Sequence, residues 1–279
     1  IYEAYSHSWF GELDEADRLL AEAEKRIQAG IPAPDVLSMQ GHLPYVKSRV
    51  TAMRGDLERA IELCLEARQY IPAGNLALQL DTRITLGYEY FIQGDYAHAS
   101  QILDEVIRSG MATGAIMNTV AASCLMARSF AVQGLLHKSY DTYQVAGQCI
   151  PEADEQHYGA RALVEVGIAE LLCEQNDLMA ALIHVEQGLA LMPWWDKADD
   201  FILAYITLAR IHLAQANPSE AAEAVKKAAG IIQTRGVFSE ARRAVEVAQV
   251  KLWLAQQDLR AASRWAATQE ERFGFDNEL

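Results

Sequence analysis

A short break recurs along this chain at nearly constant spacing. Gly11, Gly55, Gly94 and Gly134 interrupt helix-compatible runs, and Asn176, Ala216 and Gln257 continue the series at the same interval of about 41 residues. A period between roughly 20 and 50 residues marks a solenoid or a propeller. The flanking segments decide between them. They are rich in Ala, Leu, Glu, Arg and Gln, all good helix formers, and poor in proline and in alternating β-branched runs. In LERAIELCLEA the apolar residues Leu57, Ala60, Ile61, Cys64 and Leu65 recur at i, i+3, i+4, i+7 and i+8, one buried stripe on a helix. Each unit therefore reads as helix, turn, helix.

The break residues fit such a turn. Gly adopts positive φ without steric cost and ends the first helix. The Asp that follows Gly55, Gly94, Asn176 and Gln257 is placed to accept from the free N–H groups opening the second helix. Asn217-Pro218 solves the same problem with Pro at the first helical position. Five residues after each break stands a small side chain, at Ala16, Ala60, Ala99, Ser139, Ala181, Ala221 and Ala262, which lets paired helices approach closely.

Numbering each break as position 15 gives Leu86-Gly87 at 7 and 8, Tyr90 at 11, Tyr96 at 17, Ala99 at 20 and Leu103 at 24. That pattern resembles the tetratricopeptide (TPR) repeat. Pro72, Pro151 and Pro193 all fall at position 32, where such repeats end a helix. The period is longer than the usual 34, and the phrasing of GNLALQLDTRITLGYEYFIQGDYAHAS, VEVGIAELLCEQNDLMAALIHVEQGLAL, ILAYITLARIHLAQA and LWLAQQDLRAASRWA resembles the TPR-like sensor domain of the large ATP-dependent LuxR-type transcription regulators, the MalT-like family. The resemblance implies an all-α, right-handed superhelical solenoid of about seven repeats over residues 1–279. It also implies a nucleotide-switch module upstream, where ATP would act, and a helix-turn-helix DNA-binding domain downstream. The chain begins at Ile1 rather than Met, which agrees with a piece of a longer protein.

The composition narrows the function. There are 24 basic and 38 acidic residues, a net charge of −14, which repels a phosphate backbone and argues against direct nucleic-acid binding. No apolar run approaches the roughly 20 residues of a membrane span. Cys64, Cys124, Cys149 and Cys173 form no CxxC and no metal-ligand spacing, and read as reduced thiols of a cytoplasmic protein. There is no GxxxxGK[ST], GxSxG, HExxH or GxGxxG, so neither a cofactor nor a metal is expected in this segment and no catalytic residue stands out.

A binding surface is the better expectation. Solenoids offer one long concave face, lined in TPR units by the first helix. Position 9 of that helix carries Tyr5, Arg49, Tyr88, Arg128, Glu170, Arg210 and Lys251; position 5 is mostly apolar. Arg49, Tyr88, Arg128, Glu170, Arg210 and Lys251, with Phe91 beside them, are therefore the candidate lining of a groove for a small effector or a partner protein. Planar guanidinium forks there suit carboxylates, phosphates or sugar hydroxyls. A generic TPR scaffold for a peptide, or the arm of another signalling ATPase or kinase, is the alternative. Trp194-Trp195 is expected to cap the space between two units. The apolar ends, with Tyr2, Tyr5, Trp9 and Phe10 at one and Trp265, Phe273 and Phe275 at the other, predict self-association through an end of the solenoid.

Overall fold

The computed structural model describes residues 1–30, 36–151, 155–194 and 197–273. The described residues form fourteen α-helices and no strand. They are α1 (Tyr2–Trp9), α2 (Leu13–Gln28), α3 (Val36–Met53), α4 (Leu57–Tyr70), α5 (Leu76–Gln93), α6 (Tyr96–Thr113), α7 (Ile116–Val132), α8 (Leu136–Gln148), α9 (Tyr158–Glu174), α10 (Leu178–Leu191), α11 (Ala198–Ala214), α12 (Pro218–Thr234), α13 (Ser239–Ala255) and α14 (Leu259–Phe273). Short 3-10 turns, Glu155–His157 and Met192–Trp194, lie between units. Consecutive helices pair as seven hairpins, and each hairpin stacks on the next.

All seven breaks have left-handed backbone, with φ of 76° at Gly11, 95° at Gly55, 85° at Gly94, 76° at Gly134, 61° at Asn176, 59° at Ala216 and 60° at Gln257. The turn is thus one geometry met by different residues, and the side chains at Ala216 and Gln257 are tolerated there at a cost of about 1–2 kcal/mol each. The capping expectation holds at four units. Asp56, Asp95, Asp177 and Asp258 accept from the backbone N–H of Arg59, His98, Ala180 and Ala261. Asn217 makes no side-chain cap bond; Pro218 at the start of α12 removes one of the donors instead.

Packing follows the repeat. Ala16, Ala60, Ala99, Ser139, Ala181 and Ala221 are fully buried where the two helices of each hairpin cross, and Ala262 is half-buried in the last described helix. Leu20, Leu80, Leu86, Leu103, Leu171, Ile202 and Ile211 fill successive layers. Each is worth about 1.5–3 kcal/mol in burial. Gly87 brings α5 against α6, since a Cβ there would fall 2.8 Å from Leu103 Cδ2.

One contact breaks the neighbour-only rule of solenoids. The loop between α12 and α13 reaches the first hairpin, and the backbone N–H of Gly236 donates to the carbonyl of Trp9 at 2.7 Å. Gly236 lies so close to Ser8 that a Cβ would sit 1.9 Å from its carbonyl oxygen. Next to it, buried Phe238 packs with Ala52, Met53 and Ala60 of the second unit and lies 5.1 Å from the Tyr88 ring of the third. The rotation accumulated from unit to unit brings the sixth and seventh hairpins back to the first three. The expected open groove is therefore closed on itself.

Candidate functional site

The first helix of each unit turns its inner stripe toward one interior cavity of about 200 Å³. On α7 the stripe is Ala121, Cys124, Leu125 and Arg128; on α9 it is Leu163, Val166 and Gly167; on α11 it is Asp199, Ile202, Leu203 and Ile206. These are i, i+3, i+4 and i+7 spacings, so one helical face serves each time. Gly167 exists for this arrangement. A Cβ there would fall 2.2 Å from Tyr143 Cε1, and the fully buried Tyr143 ring takes that space and forms part of the wall. The apolar residues at position 5, Ile84, Cys124, Val166 and Ile206, line the cavity, whereas Tyr45 is buried in the core beside Tyr5 and Val247 is exposed.

Of the position-9 candidates, Arg49, Tyr88 and Arg128 line the cavity. Phe91, Glu170, Arg210 and Lys251 do not. Phe91 lies under the guanidinium of Arg128, 5.4 Å from ring centre to charge, and Glu170 approaches the same guanidinium to 3.7 Å. They hold Arg128 rather than forming the wall. Arg210 lies one turn beyond Ile206 and is bound to Glu174. Lys251 is exposed, about two turns beyond the part of α13 that reaches the cavity. A shared repeat position does not place a residue on a shared wall once the superhelix has curled shut.

Arg49 has the most unusual setting. It is only 7% exposed, and its guanidinium carbon stands 3.9 Å over the Trp9 ring, 5.3 Å from Phe238 and 5.7 Å from Tyr5. Its Nε and Nη2 are buried without a hydrogen-bond acceptor among the described residues. Trp9, expected at an exposed end, instead faces the interior through this contact, while Tyr2 and Phe10 are exposed at 70% and 58%. Trp265 is half-buried. Trp195, Phe275 and the side chains of Trp194 and Phe273 lie outside the described residues.

Sequence reasoning missed the acidic side of the cavity. Asp199 and Asp200 in the first turn of α11 and Glu240 in the first turn of α13 line it, with Lys197 alongside. Asp199 accepts from the backbone N–H of Phe238 at 2.9 Å, tying α11 to the closing loop. Burial pushes its carboxyl up to about 6, against the opposing pull of that N–H and of Arg49. The signal was the pair of acids in KADDF, which in isolation looks like ordinary helix-opening charge.

A second buried acid lies outside the cavity. Glu89 is fully buried between α3 and α5, accepts from Ser48 Oγ at 2.7 Å, and has no partner at Oε2. Ser48 also lies 3.2 Å from the thiol of Cys64. Burial raises Glu89 to about 7 and the Cys64 thiol well above its ordinary value. Among the described residues all four cysteines are free, and no three His, Cys, Asp or Glu side chains come together as a metal site.

Seven stacked helical hairpins that turn their first helices toward a common interior define a TPR-type solenoid. A family model described as the MalT-like TPR region matches residues 41–278, so the chain belongs to that family. Among solved structures, BtubC (BKLC) from P. vanneervenii is 18% identical, with a TM-score of 0.55, over 78% of this chain and 89% of that one. The putative kinesin light chain TPR-like repeats of Podosopora anserina are 17% identical, with a TM-score of 0.46, over 72% and 97%. At such identity the likeness to BtubC shows the fold alone. No curated protein matches the chain. No helix among the described residues is long and apolar enough to cross a membrane.

Proposed function

We propose that this chain is the non-catalytic effector-sensing and interaction domain of a bacterial LuxR-type transcription regulator, cytoplasmic, with the ATP-dependent switch and the DNA-binding helix-turn-helix in other parts of the same protein. Membership of the MalT-like TPR region family supports the regulatory class. The observation that carries sensing is the cavity. All seven first helices, α1, α3, α5, α7, α9, α11 and α13, contribute to its wall, and the contact between distant units closes it. A ligand inside touches most of the solenoid at once. It therefore has a different affinity for the closed and the opened shape, and a ligand shifts a conformational equilibrium only through such a difference. The volume suits a small metabolite. This favours effector sensing over the scaffold alternative. Self-association belongs to the same proposal, through the exposed apolar side chains at the two ends, Tyr2 and Phe10 on one and Leu254 and Leu259 on the other.

Two experiments test the reading. The complete reading frame is expected to encode a P-loop upstream and a helix-turn-helix downstream; a frame with neither moves the chain to the scaffold class. In cells carrying the intact regulator, filling the cavity with Ile206→Trp is expected to abolish inducer response while the protein accumulates at its normal level. Unchanged induction would remove the cavity from the mechanism.

A further inference from the structure

The chemistry of the effector is written in the cavity wall. Burying a charged group without compensation costs several kcal/mol. Arg49 is only 7% exposed and, among the described residues, makes no ion pair within 4 Å and has two guanidinium nitrogens with no acceptor. The Trp9 and Phe238 rings offer the guanidinium their π-faces but no hydrogen-bond acceptor. The aromatic faces leave part of the cost unmet. Arg128, on the same cavity, is paired with Glu170 but makes no hydrogen bond to it. Glu170 at 3.7 Å is beyond hydrogen-bond distance, and Phe91 covers one face of the fork.

The acids of the cavity do not fill this need. Asp199 attracts Arg49 electrostatically, but its hydrogen bond goes to the N–H of Phe238; Asp200 and Lys197 already have partners, and Glu240 leaves its own Oε2 unsatisfied, which calls for a donor. Ile84, Leu125, Val166 and Ile206 give the same cavity an apolar floor. We infer that the cavity takes a small organic anion, a carboxylate or phosphate ester with an apolar body, whose charged group completes Arg49 and Arg128 while its body rests on that floor. A hydroxyl or amine on the same molecule would meet Glu240. The inference rests on the reading of the cavity as an effector site. Arg49 stands where Trp9 of the first hairpin meets Phe238 of the closing loop, so such an anion bears directly on the closure.

The test uses the whole chain and matched probes: phenylacetate with phenylacetamide, hexanoate with hexanamide, and phenyl phosphate with phenol. Thermal shift and calorimetry are run at low and at physiological salt. At least one anion is expected to bind saturably, at least tenfold more tightly than its neutral twin, and to weaken with added salt. Whether a carboxylate or the phosphate leads distinguishes the two sources of charge. Arg128→Gln and Arg49→Gln are each expected to lose that tenfold preference; if Arg49→Gln does not fold, Arg128→Gln carries the comparison. Neutral twins that bind as well as the anions, or an anion preference that persists unchanged in Arg128→Gln, overturn the inference and leave the cavity as an effector site. A chain that binds none of the six probes overturns both.

Discussion

The amide of Gly236 donates to the carbonyl of Trp9 at 2.7 Å, and this one bond joins the first hairpin to the loop that opens the last. Solenoids ordinarily gain stability unit by unit from nearest neighbours. Here Ser8 leaves no room for a side chain at position 236. Gly236→Ala is expected to separate the two ends. Hydrogen exchange should rise in α1 and α2, and in the loop at 235–238, and stability should fall by about 1–3 kcal/mol. Unchanged exchange in α1 would show that the closure is not a stable feature in solution.

Gly167→Ala tests the cavity wall from the other side. Its Cβ would meet Tyr143 at 2.2 Å, and a fully buried ring has nowhere to move except into the cavity. We expect a loss of about 1–3 kcal/mol in denaturant unfolding, and binding of any cavity ligand to weaken as well. A variant as stable as the parent would show that the ring relocates freely.

Glu89 sets a pH dependence whose sign is fixed by its burial. The folded protein holds the proton up to about pH 7, whereas the ordinary value is 4.5. Between those values the native state binds more protons than the unfolded one, so stability falls as pH rises through that window and levels off above it. Glu89→Gln keeps an acceptor for Ser48 and removes the buried charge. It is expected to be more stable than the parent at pH 8 by on the order of a few kcal/mol, with the difference vanishing near pH 4.5. Urea midpoints across pH check it; parallel pH profiles for the two proteins would rule it out.

Ala216 and Gln257 occupy the left-handed turn at φ 59° and 60° with side chains in place. Relieving that strain outweighs the extra freedom glycine gives the unfolded chain. Ala216→Gly is expected to raise stability by up to about 1 kcal/mol, and Gln257→Gly by a similar amount. A fall in melting temperature for both would mean that the turn is not strained.

The ends give a further expectation. Tyr2 and Phe10 are exposed at one end, and Leu254 and Leu259 near the other. Sedimentation across a concentration series is expected to show weak self-association that Tyr2→Glu with Phe10→Glu abolishes. Trp9 is unsuitable as a probe, because it supports Arg49 in the interior. A monomer at every concentration removes end-to-end contact from the proposal.

The sequence by itself determined the seven hairpins, the position of every turn and the small residues at the helix crossings. These rest on chemistry within a few residues. A backbone with positive φ selects Gly or Asn, a free helix N-terminus selects Asp, and a close crossing selects Ala, so even the breaks at Ala216 and Gln257 were legible from spacing. Arg49, Tyr88 and Arg128 were legible as inward-facing for the same reason, since a helical face follows from periodicity. Only the tertiary structure decided that Trp9 turns inward, that Phe238 packs on Tyr88, that Asp199 holds the closing loop, and that Arg210 and Lys251 fall beyond the cavity. Those facts depend on the small rotation between successive hairpins, summed over the whole chain. No local pattern encodes that sum, and it is what brings the last units back to the first and leaves Arg49 buried without an acceptor among the described residues.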